Sequence, residues 1–476
     1  MADLEVDYLV VGAGASGMAF VDALVAERDD CDVLLVDRRH RPGGHWLDAY
    51  PFVRLHQPSA TYGVTSRRLG GDRIDTTGPN AGFYERATAA EIVGYFDAVL
   101  EQELLPTGRV RFAGLTDHTV GADGTHSLRS LLTGEEQTVA VRRRVVDATY
   151  TESSIPKTHT PGFEIAAGAT LVPPNDLVDP RLLVTGYTVI GGGKTAMDTC
   201  GWLLDMGVGP DRIRWVRSRD GWYFNRAFTQ PGELVGSFMQ LQARWIAAAA
   251  AARDAQDFAH RLEAAEVFLR IDPDVEPTMF RGATTSEAEI AALRSIEDVV
   301  RRGRVRRVAA DRITFDDGDL ATPPGHVYVD CTAAGVRPTT PRPLFGPGTL
   351  TLEYTTLGFV PWGAATVGAV EALMDGDDEV KNALCPPVIF SGHVADLLQF
   401  ADAGMRGLAA RSAVPELAAW NEACRLNPTR GASAHLDDPA VADAFEVMGA
   451  NLFPALENLQ RLVAPTDPDP APAPLS

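Results

Sequence analysis

Two short stretches of the chain have the residue types to hold phosphate. "VVGAGASGMA" places glycines at Gly12, Gly14 and Gly17, and "VIGGGKTAMD" places them at Gly191 and Gly193, with Ala196 in the third position. The chemistry of such a turn lies in its backbone. The first glycine permits a tight bend, the second lets the chain approach a pyrophosphate, and the third lets a helix pack closely on a strand. A helix opening at the turn aims free N–H groups and a positive dipole at the anion. Ser16 joins the candidate contacts of the first turn and Thr195 those of the second. Lys194 either adds charge near the second pyrophosphate or sits solvated.

Each turn is followed, at the expected distance, by a residue that can meet a ribose. Asp37 stands twenty residues past Gly17, at the end of the apolar run "VLLV", where a carboxylate can accept from both ribose hydroxyls. Arg38 beside it belongs to the same candidate set. Arg217 stands twenty-one residues past Ala196, and Arg219 follows two residues later. An acid there would favour NADH, whereas an arginine accommodates the 2′-phosphate of NADPH. A planar guanidinium suits a phosphate fork. This pattern predicts NADPH at the second turn, with Arg217 as the selecting residue. The other reading makes both arginines ordinary surface charges.

Stepping out from the turns, both need a strand before and a helix after. Residues 8–11 and 187–190 have β character, and residues 18–28 and 197–206 have helical periodicity. The predicted fold class is therefore α/β, with two Rossmann-like dinucleotide-binding domains.

The segment "RPGGHWLDAYPFVRLHQPSATYG" contains Gly43-Gly44-His45-Trp46, then Tyr50-Pro51, then "RLHQPS". Here the chain resembles the flavin-containing monooxygenases and the related Baeyer–Villiger and N-hydroxylating enzymes. "AEIVGYF" at residues 90–96 is similar to a stretch shared by several members. The resemblance implies FAD in the first cradle and NADPH in the second, delivering hydride to the flavin. It also implies O₂ adding at the flavin C4a carbon, giving a (hydro)peroxyflavin that oxygenates a heteroatom or carbonyl of a small organic substrate. Gly44, His45, Trp46 and His56 join the cofactor-binding candidates on this basis. Trp46 lines the flavin pocket or is a plain core aromatic. "PPVIFSGHV" at residues 386–394 resembles the last strand of the flavin domain, and Gly392 at its end would approach the isoalloxazine.

The chain departs from the family in three places. Ala148-Thr149-Tyr150 lacks the glycine of a similar family tripeptide. "FEIAAGATLVPPNDL" lacks the histidine and tryptophan of the Baeyer–Villiger signature, so oxidation of ketones to esters is not implied. His56 stands where those enzymes tend to have an aspartate; it is a candidate proton shuttle, since histidine titrates near neutrality, or a structural residue. The catalytic residues are otherwise unknown. Two competing readings remain: a reductase or dehydrogenase without oxygen transfer, and a catalytically silent flavoprotein.

The resemblance also sets the organisation. It implies an FAD domain over 1–177 and 339–464, interrupted by a nicotinamide domain over 178–338; the Pro-rich tail at 465–476 reads from its composition as disordered. Residues 222–300 are too long for one crossover. Residues 237–268 read as helix, either a bundle packing on the domain, or a lid or substrate wall between domains with Trp222, Tyr223 and Phe224 at its hinge.

Composition excludes other classes. The formal net charge of −21 disfavours nucleic acid and anionic membrane as partners. The acidic start "MADLEVD" does not read as a secretion signal, and no apolar run is long enough to span a bilayer, so the expected location is cytoplasmic. The five cysteines form no C-x-x-C pair, which excludes a thioredoxin-type dithiol, and the histidines show no metal-ligand spacing. The expected partners are a small-molecule substrate and O₂.

Overall fold

The computed structural model describes residues 2–463 apart from 180, 183, 357 and 390; the tail expected at 465–476 lies outside them. The fold is α/β, built around two separate sheets, the first parallel at its centre with antiparallel strands at its margins and the second all parallel. The first runs in the order Phe345–Gly346, Thr349–Thr351, Glu136–Asp147, Leu4–Val11, Val33–Val36, Val110–Ala113. Its central strand pairs in parallel on both sides, Val10 opposite Leu35 and Val146. That strand is buried from Val6 to Val10, Asp7 included. Covered on both faces, it has no polar alternation, as parallel sheets require.

The second sheet runs in the order Val299–Val300, Ile213–Val216, Gly186–Ile190, His326–Asp330, Leu171–Val172, all parallel. Strand Leu171–Val172 and strand Glu164–Ile165, which pairs with Arg307–Ala309, both precede residue 178. By its pairing the second unit therefore begins by residue 164, and the expected boundary at 178 lies too late. The sequence missed these strands because each is only two residues long.

The region 222–300 is mixed rather than helical. Strand Gly221–Asn225 pairs with Phe268–Leu269 and Met279–Thr285 in a small sheet. The single helix expected over 237–268 is two, Val235–Ala251 and Ala255–Ala264, because Ala252 turns extended and Asp254 caps the second helix through Asp257 N. The first of these helices lies against the long helix Pro439–Val463. The strand expected over 386–394 is absent: its described residues are irregular. Pro386 and Pro387 have no N–H to donate to a ladder. The backbone of Ser391, Gly392 and His393 instead turns around the Asp396 carboxylate, with N–H groups at 2.6, 2.9 and 3.3 Å.

Candidate active site

Both glycine turns lie between a strand and a helix. Gly14 is the residue before helix Ala15–Glu27, and Gly193 the residue before helix Lys194–Asp205. Each is extended and neither helix has a side-chain cap, so the leading N–H groups remain free for an anion. A Cβ at Gly193 would meet nothing within 4 Å, and one at Gly14 would meet only the Cα of Gly44, at 3.7 Å. Gly17 is different. A Cβ there would lie 1.9 Å from the Gly12 carbonyl oxygen, so Gly17 serves helix–strand packing and does not line the cleft.

The two turns open into one cleft of about 940 Å³. Gly12, Gly14 and Ser16 line it from one side and Gly191, Gly193, Lys194 and Thr195 from the other. Asp37 lines it as well, held by Ala13 N and Arg39 N, each at 2.7 Å. Arg38 does not: it is exposed and paired with Asp117, while Arg39, next in sequence, reaches the cleft. Gly44 crosses over the first turn, with His45 and Trp46 lining the cleft beyond it. Trp46 is fixed by a 2.7 Å hydrogen bond from its indole N–H to the Tyr62 hydroxyl, and it both lines the cleft and packs on the core.

The second ribose end corrects the sequence. Arg217 is 1% exposed. Its guanidinium pairs with Asp220 at 2.8 Å and stacks 4.7 Å from the Trp215 ring, turned away from the cleft. Arg219 lines the cleft instead, and so does Arg304, from a loop more than eighty residues downstream. Neither has a carboxylate partner among the described residues. Burial and then the charge of Arg304 lower the pKa of Arg219. Two facing cations without an acid are a fitting seat for a phosphate. Spacing alone could not separate Arg217 from Arg219, and nothing local in the sequence announces Arg304.

Gly392 does not line the cleft either; it lies against Arg281, which does. The Arg281 guanidinium donates to the Ala334 carbonyl, and its pKa is lowered by burial and then by Arg219.

Near the second cradle, the Lys194 ammonium folds onto Asp198, one helical turn along. Asp198 also accepts from the Tyr50 hydroxyl at 2.8 Å, and Phe52 stacks on Trp202 at 4.5 Å. The Tyr50–Phe52 loop of the first unit thus grips the helix of the second. Further along, Arg86 and Arg226 share Glu289, and Thr284 donates to the His56 carbonyl at 2.7 Å.

His56 lines the cleft but is not tuned to shuttle protons near neutrality. Burial, then the Lys194 charge, pushes its pKa down to about 4. His45 falls to about 4 through burial and then Arg39. In the unfolded chain both titrate near 6.5. Between those values the unfolded state binds more protons, so stability is full above about pH 6.5 and falls as pH drops towards 4. Glu353, held up at about 7 by burial, acts in the opposite direction. Histidine variants are therefore the test. The double variant His45→Gln, His56→Gln is expected to lose less Tm than wild type between pH 7 and pH 4, measured in thermal scans. Identical slopes would refute the assignment.

Among the described residues no group of three or more His, Cys, Asp or Glu side chains could hold a metal ion, and no helix is long and apolar enough to cross a membrane. All five cysteines are free and buried.

Residues 10–66 match the NAD(P)-binding Rossmann-like domain family. The chain is 42% identical to Uncharacterized protein Rv2000 of Mycobacterium tuberculosis (strain ATCC 25618 / H37Rv) over 426 residues, 89% of this chain and 78% of that protein. A shorter match, 35% over 86 residues, covers 18% of this chain and 17% of MymA from the same strain, a protein named as a candidate FAD-containing monooxygenase. The flavin-containing monooxygenase from Stenotrophomonas maltophilia superposes with a TM-score of 0.45 at 14% identity, over 77% of this chain and 97% of that one.

Proposed function

As a member of the family that includes the mycobacterial Uncharacterized protein Rv2000, the chain is, we propose, an FAD-dependent, NADPH-consuming monooxygenase acting on a heteroatom or carbonyl of a small organic substrate. The observation that carries this reading is the convergence of two pyrophosphate cradles on one cleft. An enzyme with a single dinucleotide needs only one. The short match to MymA supports a flavin as the first occupant.

Bound FAD supplies a ring that takes hydride from NADPH and activates O₂. The chain does the rest. The helix that opens after Gly14 would hold the FAD pyrophosphate and Asp37 its ribose, with Trp46 against the ring system. The helix after Gly193 would hold the pyrophosphate of NADPH, and Arg219 and Arg304 its 2′-phosphate. His56, uncharged above about pH 4, can donate or accept one hydrogen bond there without adding charge. The unit carrying the first sheet would be the FAD unit and the inserted one the NADPH unit.

Arg219→Ala is expected to weaken NADPH by about 10- to 150-fold, the loss of one charge-assisted contact of about 1.5–3 kcal/mol, while NADH changes little. Steady-state KM for the two nucleotides reads this. Arg217→Ala should lower Tm and leave the NADPH/NADH ratio alone. The reverse pattern would restore Arg217 as the selecting residue.

The decisive test of the function is rapid mixing of NADPH-reduced protein with O₂. A monooxygenase should pass through a long-lived absorbing stage, prolonged by NADP⁺, before the oxidised spectrum returns. A one-step return with stoichiometric H₂O₂ would assign the protein to reductases that transfer no oxygen.

A further inference from the structure

One part of the cleft wall has a character of its own. Trp222 and Phe224 come from strand Gly221–Asn225, and Phe238, Leu241, Gln242 and Trp245 from helix Val235–Ala251. The four helical positions are spaced i, i+3, i+4, i+7 and share one face. Phe224 stacks on Trp245 at 5.7 Å, and Phe238 meets Phe359 edge-on at 5.7 Å. None of the six wall residues carries a charge. Two cations stand near it: Arg281, on strand Met279–Thr285 beside the strand of Trp222 and Phe224, donates to the Ala334 carbonyl, and Arg270, paired with Glu263, lies 5.0 Å from the Trp222 ring.

Gln242 is the exception within this apolar face. It is half-buried, lines the cleft, and its amide makes no hydrogen bond with any described residue. Two further donors stand in the wall. The indole N–H groups of Trp222 and Trp245, residues only 1% exposed, have no acceptor. Buried polar groups normally find partners, and a mostly apolar wall with a few convergent polar groups is how ligand sites are built. A carboxylate set against these six residues would find no counter-ion among them, and its desolvation is strongly unfavourable. An uncharged acceptor oxygen would meet donors instead.

We propose that this wall is the substrate subsite, that it takes an uncharged apolar molecule bearing one acceptor oxygen, and that Gln242 is the residue that orients that oxygen. The word substrate rests on the monooxygenase reading; the binding rests on the wall alone. The inserted region then has a role: it brings to the two cradles a chamber that neither Rossmann-like unit supplies.

The test is equilibrium binding to the purified full chain without nicotinamide nucleotide, by calorimetry or ligand-observed NMR. The probes are 2-acetylnaphthalene, naphthalene and 2-naphthoate, matched in ring size. The ketone should bind at least about 10-fold more tightly than the carboxylate. Gln242→Leu should weaken the ketone by about 2- to 10-fold and leave naphthalene within about 2-fold, the signature of one lost hydrogen bond. Gln242→Met serves as a second variant should the leucine protein lose its fold or its colour. Failure of the ketone to bind, equal binding of ketone and carboxylate, or equal weakening of ketone and naphthalene would each overturn the proposal. A correct binding pattern in a protein whose reduced form returns in one step with stoichiometric H₂O₂ would leave this subsite standing and sink the monooxygenase reading alone.

Discussion

Gly193→Val is expected to give a folded, yellow protein that NADPH can no longer reduce at a useful rate. The position is extended, a backbone conformation valine adopts freely, and a Cβ there meets no protein atom within 4 Å. The side chain would project into the space the cofactor's pyrophosphate needs, holding it off the N–H groups of helix Lys194–Asp205. Losing two charge-assisted hydrogen bonds at about 1.5–3 kcal/mol each corresponds to a loss of affinity of roughly 100-fold or more. Chemical reduction of the flavin should remain normal, and Tm should move little. The measurement pairs rapid-mixing reduction by NADPH with reduction by dithionite. Normal reduction by NADPH would move the nicotinamide nucleotide out of this cradle.

Gly17→Ala should fail in the opposite way. Its Cβ would lie 1.9 Å from Gly12 O and 3.1 Å from Gly12 C, and Gly12 itself sits at φ +106°, where an L-residue is strained. The helix must back away from the strand, which opens the first turn at its base. Overpacking of this kind costs about 1–3 kcal/mol and more against rigid backbone. The expected product is little soluble protein, with a lowered Tm and poor FAD retention even when excess FAD is added. Full occupancy at wild-type Tm would show that the turn relaxes, and would remove the packing role given to Gly17. One glycine thus guards the fold and the other guards a ligand's space, though the motif writes both with the same letter.

That contrast indicates what was legible in the sequence. The cradles were readable because glycine spacing, an apolar strand and helical periodicity agree within some thirty residues. Asp37 was readable because strand and acid are adjacent. Arg217 was not: spacing locates a strand end, but whether a side chain points into the cleft or back against Trp215 depends on Asp220 and the turn that follows. Arg304 was invisible for a different reason, and of the aromatic chamber only a wall near Trp222 and Phe224 could be suspected. They reach the site from segments far apart in the chain, and no local pattern marks a residue brought in by tertiary packing. The strand that the resemblance implies over 386–394 does not form among the described residues, since two consecutive prolines remove its first donors.

The first sheet has a consequence for how the chain acquires its fold. Its strands come from residues 4–147 and again from 345–351, and helix Val360–Leu373 lies against helix Ala15–Glu27, with Gly368 close to the Phe20 carbonyl. During synthesis, the earlier strands emerge with one edge and one face still uncovered. Nearly two hundred residues, holding the entire second sheet, must appear before the missing pieces do. The second sheet, whose strands all lie within residues 171–330, can form first and then hold the two halves of the first sheet within reach, while helix Val235–Ala251 waits for its partner helix Pro439–Val463. In refolding from denaturant, the second sheet should gain amide protection ahead of the edge formed by residues 345–351. Chains truncated near residue 340 should keep the second sheet and expose both an aggregation-prone, half-built first sheet and the uncovered face of helix Val235–Ala251.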